Sequence, residues 1–443
     1  MTNSELEPVA LLARAAELDR LARSEEALQA LEGCRDWPVP YNERGLVLRA
    51  EIMAVSDPIA ALDELPEDAS MFTTLRGRIG YFLASFRAYS VTRNARAAEK
   101  MLEMAAAQIP DEKAEYRHWL AYLRAYMQWQ RREYDPASDD LSYALQSPDP
   151  ALRVFALNLR AWMHAGEENF RLQMSDLHDC LTLYAQYGEL CRIRSIAITL
   201  QTVAIAAWEL YDVEAAAHVA RLYEKFPWTP ELQVYRFIVL RGLGWCAFLG
   251  GDRTNSQTLI EKCKWEGPSA AWRALAHEDC AYMAALDSDS AASRDNIKAA
   301  QAIASTVDWQ TTRNEEHMAL LSLAALLAPT DADDAKRYLS IYHQIQPHGL
   351  REAIDASYEP RRTRAYRNYA EGRVEQFHGN DRVAARMIED AYKIFVKIGF
   401  VFRAALAAEA LLALTGETRW FNAACTHAAA FPKSAIARRL GAN

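Results

Sequence analysis

Proline is the feature that most restricts how this chain can fold. The 16 prolines of its 443 residues fall almost only in short breaks, and the runs between breaks are about 12–18 residues long. The breaks lie at 37–40, 111–115, 146–150, 226–230, 266–269, 328–334 and 358–360. Proline ends or starts helices and is excluded from their interiors, so this placement predicts a succession of helices joined by short turns. Alanine makes up about one residue in six, and glycine numbers only 17. Alanine is the strongest helix former, while sandwiches and barrels need many turns and β-branched residues. The expected fold class is therefore all-α.

A pattern recurs along these runs. One helix ends in a polar or glycine turn. The next carries a small residue near its start, a larger apolar one four positions on and a small one three after that. It reads Leu240, Leu243, Gly244, Ala247, Gly251, Ser256, Ile260, Cys263 in one segment and Gly372, Gly379, Ala384, Ile388, Ala391 in another. In a third it reads Ala125, Ala137, Leu141, Ala144, Pro148. Small residues let two helices approach closely, and the large one fills the gap against the next pair. Second-helix anchors can be followed near Ala27, Ala60, Ala97, Ala137, Leu177, Ala216, Ser256, Ala292, Ala335, Ala384 and Ala424. Ten intervals over 397 residues give a mean of about 40.

These spacings resemble the tetratricopeptide repeat (TPR), whose minimal unit is 34 residues. The longer, variable units are similar to the repeat arms of bacterial regulatory proteins, especially at 391–416, AYKIFVKIGFVFRAALAAEALLALTG. The resemblance implies a right-handed α-solenoid of about eleven TPR-like helix-turn-helix repeats. It divides into N-terminal repeats (1–110), central repeats with a concave groove (111–350) and C-terminal repeats with a capping helix (351–443). It also implies a peptide, a protein segment or a small effector held in that groove, in signalling or transcription control. The sequence shows no helix-turn-helix signature and ends at SAIARRLGAN without a following DNA-binding domain.

Charge and cysteines narrow the classes further. The formal charge is -9, which disfavours a general nucleic-acid coat. The seven cysteines include no CxxC pair, against a zinc ribbon or disulfide framework and in keeping with a reducing cytoplasm. The N-terminus lacks a signal-peptide pattern. The most apolar stretches, 195–208 and 318–328, are shorter than a membrane span. A cytoplasmic protein is expected, with no cofactor and no metal.

Catalytic motifs are absent. There is no GxxxxGK[ST], GxSxG or HExxH, and His277-Glu278 has no second histidine at the required spacing. Gly242-Leu243-Gly244 lies inside a helix and reads as packing. Asp139-Asp140 resembles a metal-binding acidic pair, but no second acidic motif is set opposite it. Asp331, Asp333, Asp334 and the pair Glu25-Glu26 open helices, where acids favour the positive dipole end. The chain is not expected to be an enzyme.

Two constellations suggest binding. Trp119, Tyr122, Tyr126 and Trp129 fall within about 80° of arc on one helix face at 100° per residue. They occupy the second, fifth, ninth and twelfth positions of a first helix, which in the TPR resemblance line the concave groove. Such aromatics make anchors, and packing between turns is the alternative. The second is an arginine cluster, Arg361, Arg362, Arg364, Arg367 and Arg373, interleaved with Tyr366 and Tyr369. It suits a carboxylate, phosphate or acidic peptide, and the alternative is a solvated face paired with Glu359, Glu371 and Glu375. Arg241, Trp245 and Phe248 hold the same groove positions in a third repeat. The expected partner is a protein or peptide, with a small effector as a further option. Direct nucleic-acid binding ranks below these, no membrane is expected, and a homodimer stays open.

Overall fold

A computed structural model describes residues 3–110, 114–312, 316–345 and 359–441. The sequence breaks at 111–113 and at residue 358 lie outside the described residues. Within them the chain is all-α, a TPR-like array of helical hairpins. The described residues divide into two compact units, one built from Met1–Thr199 with Thr229–Leu232, the other from Leu200–Trp228, Gln233–Pro347 and Glu359–Asn443. This cut falls inside one helix, Ile193–Leu210.

The first unit contains five hairpins: α1/α2 (Asn3–Arg20, Ser24–Ala30), α3/α4 (Tyr41–Ser56, Pro58–Glu64), α5/α6 (Leu75–Val91, Ala95–Gln108), α7/α8 (Ala114–Gln130, Tyr134–Ala144) and α9/α10 (Pro150–Gly166, Phe170–Tyr187). Helix α11 (Ile193–Leu210) is followed by α12 (Val213–Tyr223). The second unit continues with α13/α14 (Gln233–Leu249, Arg253–Glu266), α15/α16 (Ala270–Leu286, Ser290–Ala304), α17/α18 (Met318–Leu327, Ala332–Gln344), α19/α20 (Arg361–Phe377, Asp381–Lys397) and α21/α22 (Val401–Thr415, Thr418–Ala428), then α23 (Ala435–Leu440). First helices pack on their own second helices, and several also pack on a neighbouring first helix, as α3 does on α5 and α15 on α17.

The recurrent small–large–small motif is the joint of these hairpins. Ala137, Leu141 and Ala144 are fully buried, as are Ala384, Ile388 and Ala391. A Cβ placed on Gly244 would come within 2.6 Å of Ile260 Cδ1, and one on Gly372 within 2.6 Å of Ile388 Cγ1. These glycines are therefore fixed by helix crossing and not by turn geometry. All eleven sequence anchors lie on second helices. At three of them the buried small residue is one position later: Ala61, Ala98 and Ser293 in place of Ala60, Ala97 and Ala292.

A capping device explains the offset. Asp57, Asn94, Asp212, Asp252, Asp289 and Asp331 each accept a hydrogen bond from the backbone N–H three residues on. The buried small residue is always the next one: Ala61, Ala98, Ala216, Ser256, Ser293 and Ala335. Before four of these caps stands a left-handed residue, Arg93, Tyr211, Gly251 or Ser288. A left-handed residue followed at once by an Asx cap closes one helix and opens the next in the fewest residues.

Two helical segments, Ile193–Leu210 and Pro230–Leu249, are long and apolar enough to cross a membrane by length and composition. That corrects the sequence estimate that 195–208 was too short. About two thirds of each segment, 67% and 61%, is buried, as in the core helix of a folded domain.

Two outcomes follow. Replacing Asp289 or Asp252 by alanine removes a cap and should cost about 1 kcal/mol, lowering the thermal midpoint by a few degrees in a melt followed by circular dichroism. Gly372→Leu should destabilise by more than either cap loss, because Ile388 occupies the space the new side chain needs.

Candidate functional site

The first unit contains a cleft of about 770 Å³, within the range that holds small ligands. Its walls come from first helices α1, α3, α5, α7 and α9 and from the turns leading into α9 and α11. Trp119, Tyr122 and Tyr126 of α7 all line it. Phe155 of α9 joins them, with ring centroids 5.8 Å from both Trp119 and Tyr122. Phe86 meets Tyr126 edge-on at 6.4 Å. Trp129 is not part of the lining. It packs on Trp162 at 5.7 Å, one turn further along α7. Burial pushes the Tyr122 phenol well above its ordinary range, so it stays a neutral hydroxyl.

The same cleft is also cationic. Arg44 of α3, Arg76 and Arg87 of α5, and Arg192 ahead of α11 line the same cleft, together with Glu51 and Asp149. Asp149 is engaged as a helix cap, accepting from the Ala151 N–H at 2.9 Å. Arg192 stands 3.5 Å from Asp19 and 3.8 Å from Glu51, and its guanidinium lies 6.0 Å from the Phe155 ring centre. Burial, with Arg192 beside it, draws Arg87 below its ordinary range. Burial raises the Glu51 carboxyl, against the pull of Arg192 and Arg87. Burial and the neighbouring Arg76 lower Arg44.

The joint between α3 and α5 places Arg44 and Arg76 together. Glu43, 4% exposed, accepts from the Thr73 N–H at 2.5 Å and hydroxyl at 2.8 Å, from the Thr74 N–H at 3.1 Å and from the Thr74 hydroxyl. Thr74 in turn caps α5 by accepting from the Gly77 N–H at 2.9 Å. Gly77 and Gly80 let α5 lie against Glu43 and Val47, where a Cβ would fall within 2.7 Å of either side chain. Burial works against the ionised Glu43, but the four donors outweigh it and hold the carboxyl below its ordinary range.

In the second unit the expected groove residues are occupied by the chain itself. Trp245 and Phe248 are buried, and Trp245 stacks on Trp208 at 5.3 Å. Phe402 of α21 sits on both tryptophans, at 6.3 and 5.5 Å, and Phe431 packs on Phe402 at 6.0 Å. Arg241 pairs with Asp279 at 2.5 Å, and Trp245 Nε1 donates to the same carboxylate at 2.9 Å. Tyr366 donates to the buried Glu209, which also stands 3.8 Å from Arg403 and 3.6 Å from Arg362. Burial pushes the Tyr366 phenol up to about 12. Arg403 lies over Trp208 and Tyr366 at 4.9 and 4.8 Å. Tyr369 is buried, and Arg373 lies over Phe377 at 5.4 Å. Arg367 pairs with Glu359 at 2.8 Å and Glu371 at 3.3 Å. Trp245, Phe248, Arg241, Tyr366 and Tyr369 are brought together in a packed network, while Arg361, Arg362 and Arg364 remain exposed.

Sequence reasoning passed over Arg44, Arg76, Arg87, Arg192 and Phe155. They come from four segments, and no single-helix periodicity connects them. The usable signal was their common origin, since all belong to first helices or to the turns that lead into them. Among the described residues no group of three His, Cys, Asp or Glu side chains could hold a metal ion. All seven cysteines are free thiols.

No protein-family model matches this sequence, and no curated protein matches it. Among solved structures the chain is similar to the crystal structure of a Rap protein complexed with competence and sporulation factor, at 13% identity and a TM-score of 0.47. The similarity covers 82% of this chain and 98% of that one.

Two buried acids should respond oppositely to pH. The folded pKa of Glu43 lies below its ordinary value, so its stabilisation is present above about 4.5 and is lost as pH falls through the folded value. Glu43→Ala should cost about 2 kcal/mol at neutral pH, by stranding the Thr73 and Thr74 donors. Glu278, 2% exposed, has no hydrogen-bond partner for either carboxylate oxygen among the described residues. Burial, then the adjacent Asp279, raises its pKa well above 4.5. Stability should therefore fall as pH rises past about 4.5, and Glu278→Gln should raise the melting temperature at neutral pH and flatten this dependence. Melts across a pH series check both signs.

Proposed function

We propose that this chain is a non-catalytic receptor or scaffold that holds a peptide or a short protein segment in the cleft of its first unit, and acts in signalling or transcription control through the ligand it carries. The observation that carries this reading is the shared lining: the aromatic row Trp119, Tyr122, Tyr126 and four arginines face one cleft. Aromatic rings give a ligand large contact area at small cost in side-chain freedom, and guanidinium groups orient its polar ends. A cleft lined mainly by successive first helices also suits an extended segment. In the second unit Arg241, Arg367 and Arg403 are engaged in internal ion pairs, which leaves the cleft of the first unit as the better-supported place for a ligand.

The test is selection of a random peptide library on the immobilised full chain, with a Trp119→Ala/Tyr126→Ala variant as counter-target. The variant must first show an unchanged helical spectrum. Enriched peptides should bind the wild type and lose at least about tenfold in affinity on the variant, equivalent to about 1.4 kcal/mol. Trp129→Ala, outside the cleft, should lower the melting temperature and leave peptide affinity within about twofold. Enrichment of no sequence that depends on Trp119 or Tyr126 would sink this reading.

A further inference from the structure

The two ends of the cleft differ in charge balance. At one end Arg192 has Asp19 and Glu51 beside it, and Arg87 feels the same acids. At the other, Arg44 and Arg76 line the cleft close enough for Arg76 to lower the pKa of Arg44. Glu51 feels Arg76 less than it feels Arg192 or Arg87, and among the described residues neither Arg44 nor Arg76 forms an ion pair. Arg76 and Arg87 are eleven residues apart on α5, so the two ends are separated by roughly 16 Å of helix. Two guanidinium groups repel each other, and the partial burial of Arg44 strengthens the repulsion. They are nonetheless held side by side by a buried joint: Glu43 anchors Thr73 and Thr74 at the start of α5, two residues from Arg76 and one from Arg44. The chain as a whole carries -9, so this local excess of positive charge is not a general surface property.

We propose that Arg44 and Arg76 form an oxyanion subsite that receives a carboxylate or phosphate group of a ligand whose apolar or aromatic body lies along Trp119, Tyr122 and Phe155. This deepens the receptor reading above and rests on the same cleft. Guanidinium forks match both oxyanions in a bidentate way, so the pair recognises the group's charge and shape and is indifferent to what carries it. Glu43 is a positioning residue here: its hydrogen bonds set where Arg76 begins.

The experiment titrates the full chain calorimetrically with three small probes, N-acetylphenylalanine, its uncharged amide and phenyl phosphate. The acid and the phosphate should bind at least about tenfold more tightly than the amide, with an affinity that falls as salt is raised. Stronger binding of the acid points to a carboxylate ligand, and stronger binding of phenyl phosphate to a phosphorylated one. In Arg44→Gln/Arg76→Gln the preference over the amide should vanish, and Arg44→Lys/Arg76→Lys should restore part of it. Equal affinity for acid, phosphate and amide overturns the subsite, and so does the failure of all three to bind by about 10 mM. The comparison on wild type decides the matter even where the glutamine variant is unstable. Selected peptides that need Trp119 but ignore Arg44 and Arg76 would refute the subsite and leave the receptor reading standing. Acid binding that depends on the arginines, with no peptide enriched, would do the reverse.

Discussion

The close crossing of the two helices in each hairpin governs the rest of the molecule. Where Gly244 meets Ile260 and Gly372 meets Ile388, the helices approach so nearly that even a methyl group would collide. Ile260 and Ile388 are fully buried by that approach, and burial of such a side chain contributes about 1.5–3 kcal/mol. A single hairpin satisfies only this one face. Its other apolar positions need the next hairpin, so stability accumulates along the chain through neighbours. The Asx caps ahead of Ala98, Ser256 and Ala335 fix where each second helix starts and hence which residue reaches the crossing.

Once the crossing fixes the second helices, the first helices are left to form the inner faces. What becomes of those faces depends on what the chain lays on them. In the first unit, the faces of α3, α5, α7 and α9 line a cleft. In the second unit, Trp245 and Phe248 of α13 lie under Phe402 and Phe431, which arrive from the C-terminal hairpin and the segment after it. The residue types are alike, aromatics with arginines, and the long-range connection decides whether they line an open cleft or pack on one another.

That difference sets how much could be read from sequence. The all-α class and the hairpin joints were legible because each depends on residues within about 20 positions of one another: Ala137, Leu141 and Ala144 are a local code. The anchors at Ala60, Ala97 and Ala292 slipped by one residue because spacing alone does not show the cap, whereas Asp57, Asn94 and Asp289 do. The row Trp119, Tyr122, Tyr126 was visible as one helical face. Trp129 shared the periodicity but not the cleft, because Trp162 covers it. The burial of Trp245 depends on Phe402, 157 positions later, and no local pattern reports such a contact. The pairing of Arg44 with Arg76 is similarly invisible, since it requires two hairpins to be set at a particular height by Glu43.

Glu43 and Glu278 show how this architecture treats charge. Both are acids on first helices and both are buried. Glu43 faces the N-terminus of the next first helix, where four donors are free to meet it. Glu278 stands beside Asp279, and Asp279 has already taken Arg241 and Trp245 Nε1. One carboxylate therefore ties two hairpins together, and the other is a standing electrostatic load. The same logic extends to the arginines: Arg241 and Arg367 pair with carboxylates, while Arg44 and Arg76 sit at a joint whose own acid, Glu43, is engaged by threonines. A charge in such an array is satisfied only when the hairpin register brings a partner to it. A register that brings two cations together, and commits the adjacent acid elsewhere, leaves their counter-charge to come from outside the chain.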